Sequence, residues 1–354
     1  MSHFCLLGDP KKYLAQDQNL VSDKTGRKYW LDLYVEHFEQ TLTHAREHYG
    51  PAAARRIQAA RQEFAATIDK LRSKPKSLPT KKLNGIELCR MREKCLRGHN
   101  LSSPFAHVKE RANASARALY RQVVRKLHAM EGPEMWLRLI ESVFAGNIFD
   151  LGTPMTANAA AQVPDFLDSV ENTKPRPWLI DDFDLLLKDL LSGPPMKWTK
   201  AVVFLDNAGS DFILGIMPLA RELALEGVGI VLAANELASL NDITADEAIA
   251  VVEELAAGDE DLAALIRANM LEVVSTGSGI PLIDLSDVSD ELNEVAADAD
   301  LIIIEGMGRA VESNLDAAFT VDTLRLAVLK DPHVAAGLGG VPMDPICKYT
   351  PVAR

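Results

Sequence analysis

Apolar residues recur at three- and four-residue spacing on otherwise charged segments over 29–49, 52–71, 85–97, 108–129 and 133–145, which predicts five amphipathic helices. Breakers fall between them at Gly50-Pro51, from Lys74-Pro75 to Pro79-Thr80, from Gly98 to Pro104, and at Gly132-Pro133, where Pro133 suits a first helical turn. A connection containing Pro154, Pro164, Pro175 and Pro177 leads to a helix near 181–191 and a break at Gly193-Pro194-Pro195. The pattern then changes. Short apolar runs at 201–205, 229–233, 271–274 and 301–304 alternate with helix-length segments at 212–225, 244–255 and 286–297, and a glycine-containing turn precedes a last run at 324–329. Such alternation predicts βαβ units and a parallel sheet with helices on both faces. The expected organisation is a helical region over 1–150, a connecting segment over 151–195 and an α/β domain over 196–354. Thr244-Ala245-Asp246-Glu247 has the capping-box pattern and predicts a helix start just after Asp242.

In open parallel sheets ligands bind outside the carboxyl ends of the strands, so the residues after each apolar run are the ones to inspect. The run at 201–205 ends in Asp206-Asn207-Ala208-Gly209-Ser210-Asp211. A carboxylate beside an amide oxygen makes a hard-oxygen pair suited to Mg²⁺ or Mn²⁺, and Gly209 lets a ligand approach the backbone. A helix-capping turn uses the same residue types. The run at 229–233 leads to Asn235-Glu236 and Asn241-Asp242. Asp242 reads alone as a helix N-cap, but an adjacent strand would bring it near Asp206 as a third oxygen ligand. Ser275-Thr276-Gly277-Ser278-Gly279 could cradle an anion or simply connect two elements. Glu305-Gly306-Met307-Gly308-Arg309 reads as an oxyanion or phosphate loop, with Lys330 available as a point charge in the same crevice.

Other chemistries lack their signatures. Cys89, Cys95 and His99 have C-x5-C-x3-H spacing, outside the usual structural zinc pattern, and sit among arginines on an expected helix. Neither G-x-G-x-x-G, G-x-x-x-x-G-K-[ST] nor G-x-S-x-G occurs, and the histidines form no H-E-x-x-H pair.

Taken in order, Phe204 to Asp211, Leu232 to Glu236 with Asn241-Asp242, and Ile303-Ile304-Glu305-Gly306-Met307-Gly308-Arg309 resemble the metal-dependent damage-control phosphatases. Phe144-Ala145-Gly146-Asn147-Ile148-Phe149-Asp150-Leu151-Gly152 and Leu7-Gly8-Asp9-Pro10-Lys11-Lys12-Tyr13 extend the resemblance over nearly the whole chain. The Glu-Gly-Met-Gly-Arg string is similar to one subfamily, which includes phosphatase domains fused to pantothenate kinase homologues and stand-alone relatives. The resemblance implies a Rossmann-like three-layer α/β/α core behind the helical region. It also implies a divalent metal (Mn²⁺, Ni²⁺, Co²⁺ or Mg²⁺) on Asp206, Asn207 and Asp242, with Asp206 and Asp242 catalytic. The implied activity is hydrolysis of small phosphomonoesters, 4'-phosphopantetheine and its oxidised or damaged derivatives above all. Asp211 and Lys330 would line the substrate side with Glu305, Gly306, Met307, Gly308 and Arg309. Asn147 and Asp150 would either touch substrate or fix the domain junction.

Competing expectations are a phosphatase acting mainly on sugar phosphates, an S-adenosylmethionine-dependent carboxyl methyltransferase, and a non-catalytic binding protein. The methyltransferase lacks its usual glycine-rich turn here. Charge sharpens the picture. Residues 1–150 carry 26 basic and 16 acidic side chains, 151–354 carry 12 and 34, and 201–300 alone carry 2 and 21. The basic stretch at 51–97 contains Phe64 as its only aromatic residue, which gives nucleic-acid binding no support. A basic helical cover that draws small phosphorylated anions towards a cation in an acidic domain fits better. Hydrophobic residues at 47% and charged at 25% describe an ordinary globular chain. The opening ten residues lack a signal-peptide pattern, no apolar run approaches bilayer-spanning length, and four scattered cysteines make no disulfide framework. The expected setting is cytoplasmic, with no membrane or nucleic-acid partner.

Overall fold

Helix α1 (Lys24–Tyr49) starts where the Asp23 carboxylate accepts the Gly26 N–H, five residues before the apolar periodicity becomes visible. The computed structural model describes residues 2–77, 82–148 and 166–352. Helices α2 (Ala54–Ser73) and α3 (Gly85–Gly98) pack beside α1, and Leu31, Phe38, Phe64, Ile68 and Leu96 close an apolar cluster among the three. Helices α4 (Ala106–His128) and α5 (Gly132–Ile148) bury their faces elsewhere, in a cluster shared with the sheet. Each expected helix is present, with ends shifted where a cap or turn decides them.

After α6 (Phe166–Glu171), β1 (Ile180–Asp181) and α7 (Phe183–Leu190), the α/β pattern unfolds as β2 (Lys200–Phe204), α8 (Met217–Leu225), β3 (Gly229–Ala234), α9 (Ala245–Ala256), α10 (Glu260–Arg267), β4 (Leu271–Ser275), α11 (Asp290–Ala296), β5 (Leu301–Glu305), β6 (Asp322–Val328), α12 (Pro332–Gly337) and β7 (Pro345–Thr350). The seven strands run in the order β1-β7-β6-β5-β2-β3-β4. All neighbours are parallel except β6 and β7, so the expected parallel sheet carries one antiparallel pairing near its edge. Alternation splits the central strands between two cores. Val203, Leu232 and Ile303 face α4, α5 and α8, whereas Val202, Phe204, Val231, Ile302 and Ile304 face α11 and the N-terminal residues Phe4, Leu6 and Leu7. Both faces are covered, which is why these strands read as continuous apolar runs.

Two local departures have identifiable causes. The segment expected to start at 286 becomes helical only at Asp290, because the Ser289 hydroxyl accepts the Leu292 N–H and fixes the start there. Ahead of α8, Asp211–Ile216 form a wider π turn. Here α5 comes so close that a Cβ on Gly146 would lie 2.9 Å from the Ser210 carbonyl oxygen, and one on Gly215 would lie 3.1 Å from Val143 Cα. π turns often accompany functional sites, and this one begins at Asp211.

The carboxyl-terminal strands are tied by Asp322, which is 1% exposed. It accepts hydrogen bonds from Trp198 Nε1 at 2.9 Å, Tyr349 Oη at 3.1 Å and the Val352 N–H at 2.8 Å, and pairs with Lys197 at 2.8 Å. Burial pushes its carboxyl up, but the donors from Lys197, Val352 and Trp198 outweigh burial and hold it below the usual range. A lowered folded pKa contributes stability above the ordinary carboxylate range, lost as pH falls through the folded value. Asp322→Asn should therefore cost about 2–4 kcal/mol in urea unfolding at pH 7. The wild-type and variant stabilities should converge below about pH 4.

Candidate active site

The chain leaves β2 for β3 on one side and reaches β5 on the other, so the topological switch point lies between the carboxyl ends of β2 and β5. Asp206 follows the first and Glu305 ends the second. The Glu305 carboxylate accepts the Asp206 N–H at 3.2 Å, and the Asn147 amide from α5 donates to Glu305 at 2.9 Å and to Asp211 at 3.0 Å. Asn207 Nδ2 donates to both Asp206 and Asp211 at 2.9 Å. Oxygen atoms of Asp206, Asp211 and Glu305 lie within 4.8 Å of one another. Burial first, then the Asp211 and Asp206 charges, pushes the Glu305 carboxyl well above its ordinary value.

Asp242 reaches the same place from beyond β3. Thr244 is the N-cap of α9, with both halves of the capping box formed, so Asp242 is free of that duty. Its carboxylate accepts from Asn235 Nδ2 at 2.9 Å and from Arg309 Nη2 at 2.7 Å. The same guanidinium donates through Nε to Asp206 Oδ1 at 2.9 Å. Arg309 is fully buried, and its Nη1 makes no hydrogen bond to any of the described residues. Burial pushes the Asp242 carboxyl up, Arg309 opposes that, Asp206 adds to it, and the result is about 7.

A cavity of about 420 Å³ opens over this cluster. Asp206, Asn207, Asp242, Met307, Gly308 and Lys330 form its floor and side; Trp30, Leu33, Tyr34 and His37 from α1, with Cys89 and Arg92 from α3, face them. Lys330 is 8% exposed, and its backbone N–H meets the Met307 sulfur at 3.1 Å. Glu305 and Arg309 support this floor from beneath. The Arg309 guanidinium is committed to carboxylates, which refines the expectation of an open phosphate loop. Asp150 lies outside the described residues.

The Ser275 to Gly279 loop does not join the cluster. Its Gly277 and Ser278 N–H groups turn inward to the Ser275 and Thr276 hydroxyls, which leaves them unavailable as an anion cradle. Sequence reasoning missed two supports on α4: Lys109 donates to the Asp242 carbonyl at 3.2 Å, and Asn113 accepts the Gly209 N–H at 2.7 Å. In a helix so rich in charge neither residue stands out. A cavity of about 470 Å³ near Asp9, Tyr13 and Asp316 contains none of the strand-end carboxylates.

The residues present suit a hard divalent cation. They offer clustered carboxylate oxygens, and exchanging the oxygen and nitrogen of the Asn207 amide would add its carbonyl oxygen to them. Buried like charges at this separation also favour a counter-charge.

Comparison with known proteins agrees with this chemistry. The family model of the damage-control phosphatase ARMT1-like domain matches residues 32–344. A damage-control phosphatase from Arabidopsis thaliana is 40% identical over 304 residues, 85% of this chain and 82% of that protein. A 4'-phosphopantetheine phosphatase from Mus musculus is 30% identical and a pantothenate kinase 2 from Oryza sativa 35% identical. These matches take in 97% and 99% of this chain but only 48% and 41% of the relatives, so the chain spans under half of those longer proteins. The crystal structure of a DUF89 family protein from Pyrococcus horikoshii shares the fold, with a TM-score of 0.65 at 17% identity over 90% of this chain and 96% of that one. The chain belongs to the damage-control phosphatase ARMT1-like family. It is a phosphatase of small phosphorylated molecules, and the family implies a divalent metal.

Gly306 provides a test of the cluster. Its φ of +95° suits glycine, and a Cβ there would lie 2.2 Å from Asp206 Oδ2. Gly306→Ala should lower kcat/KM by about a hundredfold or more while circular dichroism stays native-like. Unchanged kcat/KM would show that the Asp206 position is not critical.

Proposed function

We propose that this chain hydrolyses 4'-phosphopantetheine and its oxidised or damaged derivatives, using a divalent metal held by Asp206, Asn207 and Asp242, with Asp211 and Glu305 completing the oxygen-rich surroundings. The observation that carries this reading is the meeting of those side chains at one sheet switch point, under a cavity whose far wall sets Trp30, Leu33 and Tyr34 beside Glu36, His37 and Arg92. The floor suits a phosphoryl group. The wall of Trp30, Leu33 and Tyr34 suits a long, uncharged tail, which a compact sugar phosphate lacks. The name of the mouse relative supports the same substrate.

In the reaction, water adds to phosphorus as the ester P–O bond breaks, giving an alcohol and inorganic phosphate. Lys330 balances charge on the phosphoryl oxygens from the side of the cavity. Arg309 keeps Asp206 and Asp242 at fixed separation from beneath the floor. Asn147 restrains Asp211 and Glu305 so that neither carboxylate swings into the cavity. A bound divalent cation supplies Lewis-acid stabilisation of the developing charge. Among Mn²⁺, Ni²⁺, Co²⁺ and Mg²⁺, a mixed carboxylate and amide donor set accommodates each.

Phosphate release from phosphopantetheine derivatives, sugar phosphates and nucleotides, measured metal by metal, tests the assignment. Phosphopantetheine derivatives should give the highest kcat/KM, and chelation should abolish turnover. A clear preference for sugar phosphates would replace the proposed substrate. Asp206→Ala should lower turnover by about a thousandfold or more and remove a bound metal equivalent; full activity in that variant would overturn the ligand assignment. Trp30→Ala should raise KM for the pantetheine ester by about tenfold while leaving a short phosphate ester unaffected.

A further inference from the structure

We infer that His44, Glu47 and His107 form a second divalent-cation site, suited to zinc, which clamps α1 to α4 at the joint between the helical cluster and the sheet-bound helices. It shares no residue with the Asp206 cluster and does not depend on the reaction proposed above.

Residues 44–48 read His-Ala-Arg-Glu-His, so His44, Glu47 and His48 fall on one face of α1 at helical spacing. From the first turn of α4, His107 faces them. Glu47 Oε2 lies 3.5 Å from His44 Nδ1 and 3.1 Å from His107 Nε2, and the three donor atoms all lie within 4.8 Å of one another. Zinc bonds of about 2.0–2.2 Å in a tetrahedron put neighbouring ligand atoms about 3.3–3.6 Å apart, so the two contacts to Glu47 already have roughly the length of tetrahedral edges.

A simpler account, in which Glu47 serves both rings by hydrogen bonds, fits only half of the arrangement. His107 Nε2 makes that bond at 3.1 Å, whereas the buried His44 Nδ1 stands 3.5 Å from the carboxylate, outside hydrogen-bond geometry to any of the described residues. The rings are also held in place. His44 packs on Phe105 at 4.5 Å between centroids, and His48 stacks on His107 at 5.7 Å with 14° between planes. Two imidazoles and one carboxylate match the donor preference of zinc, which a water ligand would complete.

The location gives the site a role. α1 belongs to the apolar cluster of α1–α3, and α4 to the cluster shared with the sheet. His107 lies two residues before Lys109, which holds the Asp242 carbonyl, while α1 supplies Trp30 and Tyr34 to the cavity. A cation on His44, Glu47 and His107 therefore sets the distance between the cavity wall and one of the loops of its floor.

Zinc binding by equilibrium dialysis tests this in the full chain carrying Asp206→Asn and Asn207→Ala, which disables the proposed phosphatase centre. One zinc equivalent should remain, and adding His44→Ala with His107→Ala should remove it. Because paired substitutions can harm folding, the conservative Glu47→Gln and His107→Gln are measured separately, and each should weaken zinc binding by at least about tenfold. In the Asp206→Asn and Asn207→Ala background, zinc should raise Tm, and adding His107→Gln should erase that rise. The inference is overturned if no zinc equivalent remains in the first background, or if zinc binding is unchanged by the Glu47 and His107 substitutions. It is overturned equally if the zinc is lost with His99→Ala instead, since Glu63, Cys95 and His99 form the other cluster of ligating side chains in the helical region.

Discussion

A fully buried guanidinium between two carboxylates organises this molecule. Arg309 binds Asp206, beyond β2, and Asp242, beyond β3, while standing on the segment that follows β5. Three strand ends are thereby tied to a single charged group. In so dry a place each partner needs the others, because removing one member of a buried pair strands an uncompensated charge and costs about 3–5 kcal/mol. The arrangement also limits which backbones can approach. The segment after β5 must turn through a left-handed glycine at Gly306, because a side chain there would occupy the space of the Asp206 carboxylate.

Much of this was visible in the chain itself, because parallel strands covered on both faces are apolar throughout and the polar residues that interrupt them fall at the strand ends. Asp206, Asn207, Asp242 and Glu305 stand out for that reason. The two readings of Asp242, cap or site residue, separate only in the structure, where Thr244 takes the cap. Partnership is harder to see than position. Arg309 reads as a phosphate donor, yet two of its nitrogens face carboxylates, since which charges neutralise one another depends on tertiary approach. Lys109 and Asn113 are invisible among the charged residues of α4, and the π turn at Asp211 follows from close packing against Gly146, a residue 65 positions earlier. β7 escaped notice because Pro345, Lys348 and Thr350 break up its apolar positions, so that a strand lying inside the sheet, between β1 and β6, carries no strong period.

The charge asymmetry of the chain also has a structural expression. The acidic half supplies Asp206 and Asp242 to the floor of the cavity, with Asp211 and Glu305 clustered behind Asp206, and the helical half contributes Arg92 to the facing wall. Most of the remaining charge sits on solvated helix faces and pairs locally, as Arg61 does with Glu39 and Arg72 with Asp32. Such exposed pairs add little stability.

The walls of the cavity belong to separately packed bodies, α1–α3 on one side and the strand ends on the other. Such a cleft can widen by rigid tilting about its rim, at the expense of polar ties such as Tyr29 to Asp331 and Arg90 to Asp284, without pulling apart the interior of either body. Ile280 and Leu282, from the segment that follows β4, pack among α1–α3 and join the two bodies by apolar contact. Substrate exchange and thermal stability can then be adjusted by different residues, so that a looser rim speeds product departure while both interiors remain intact.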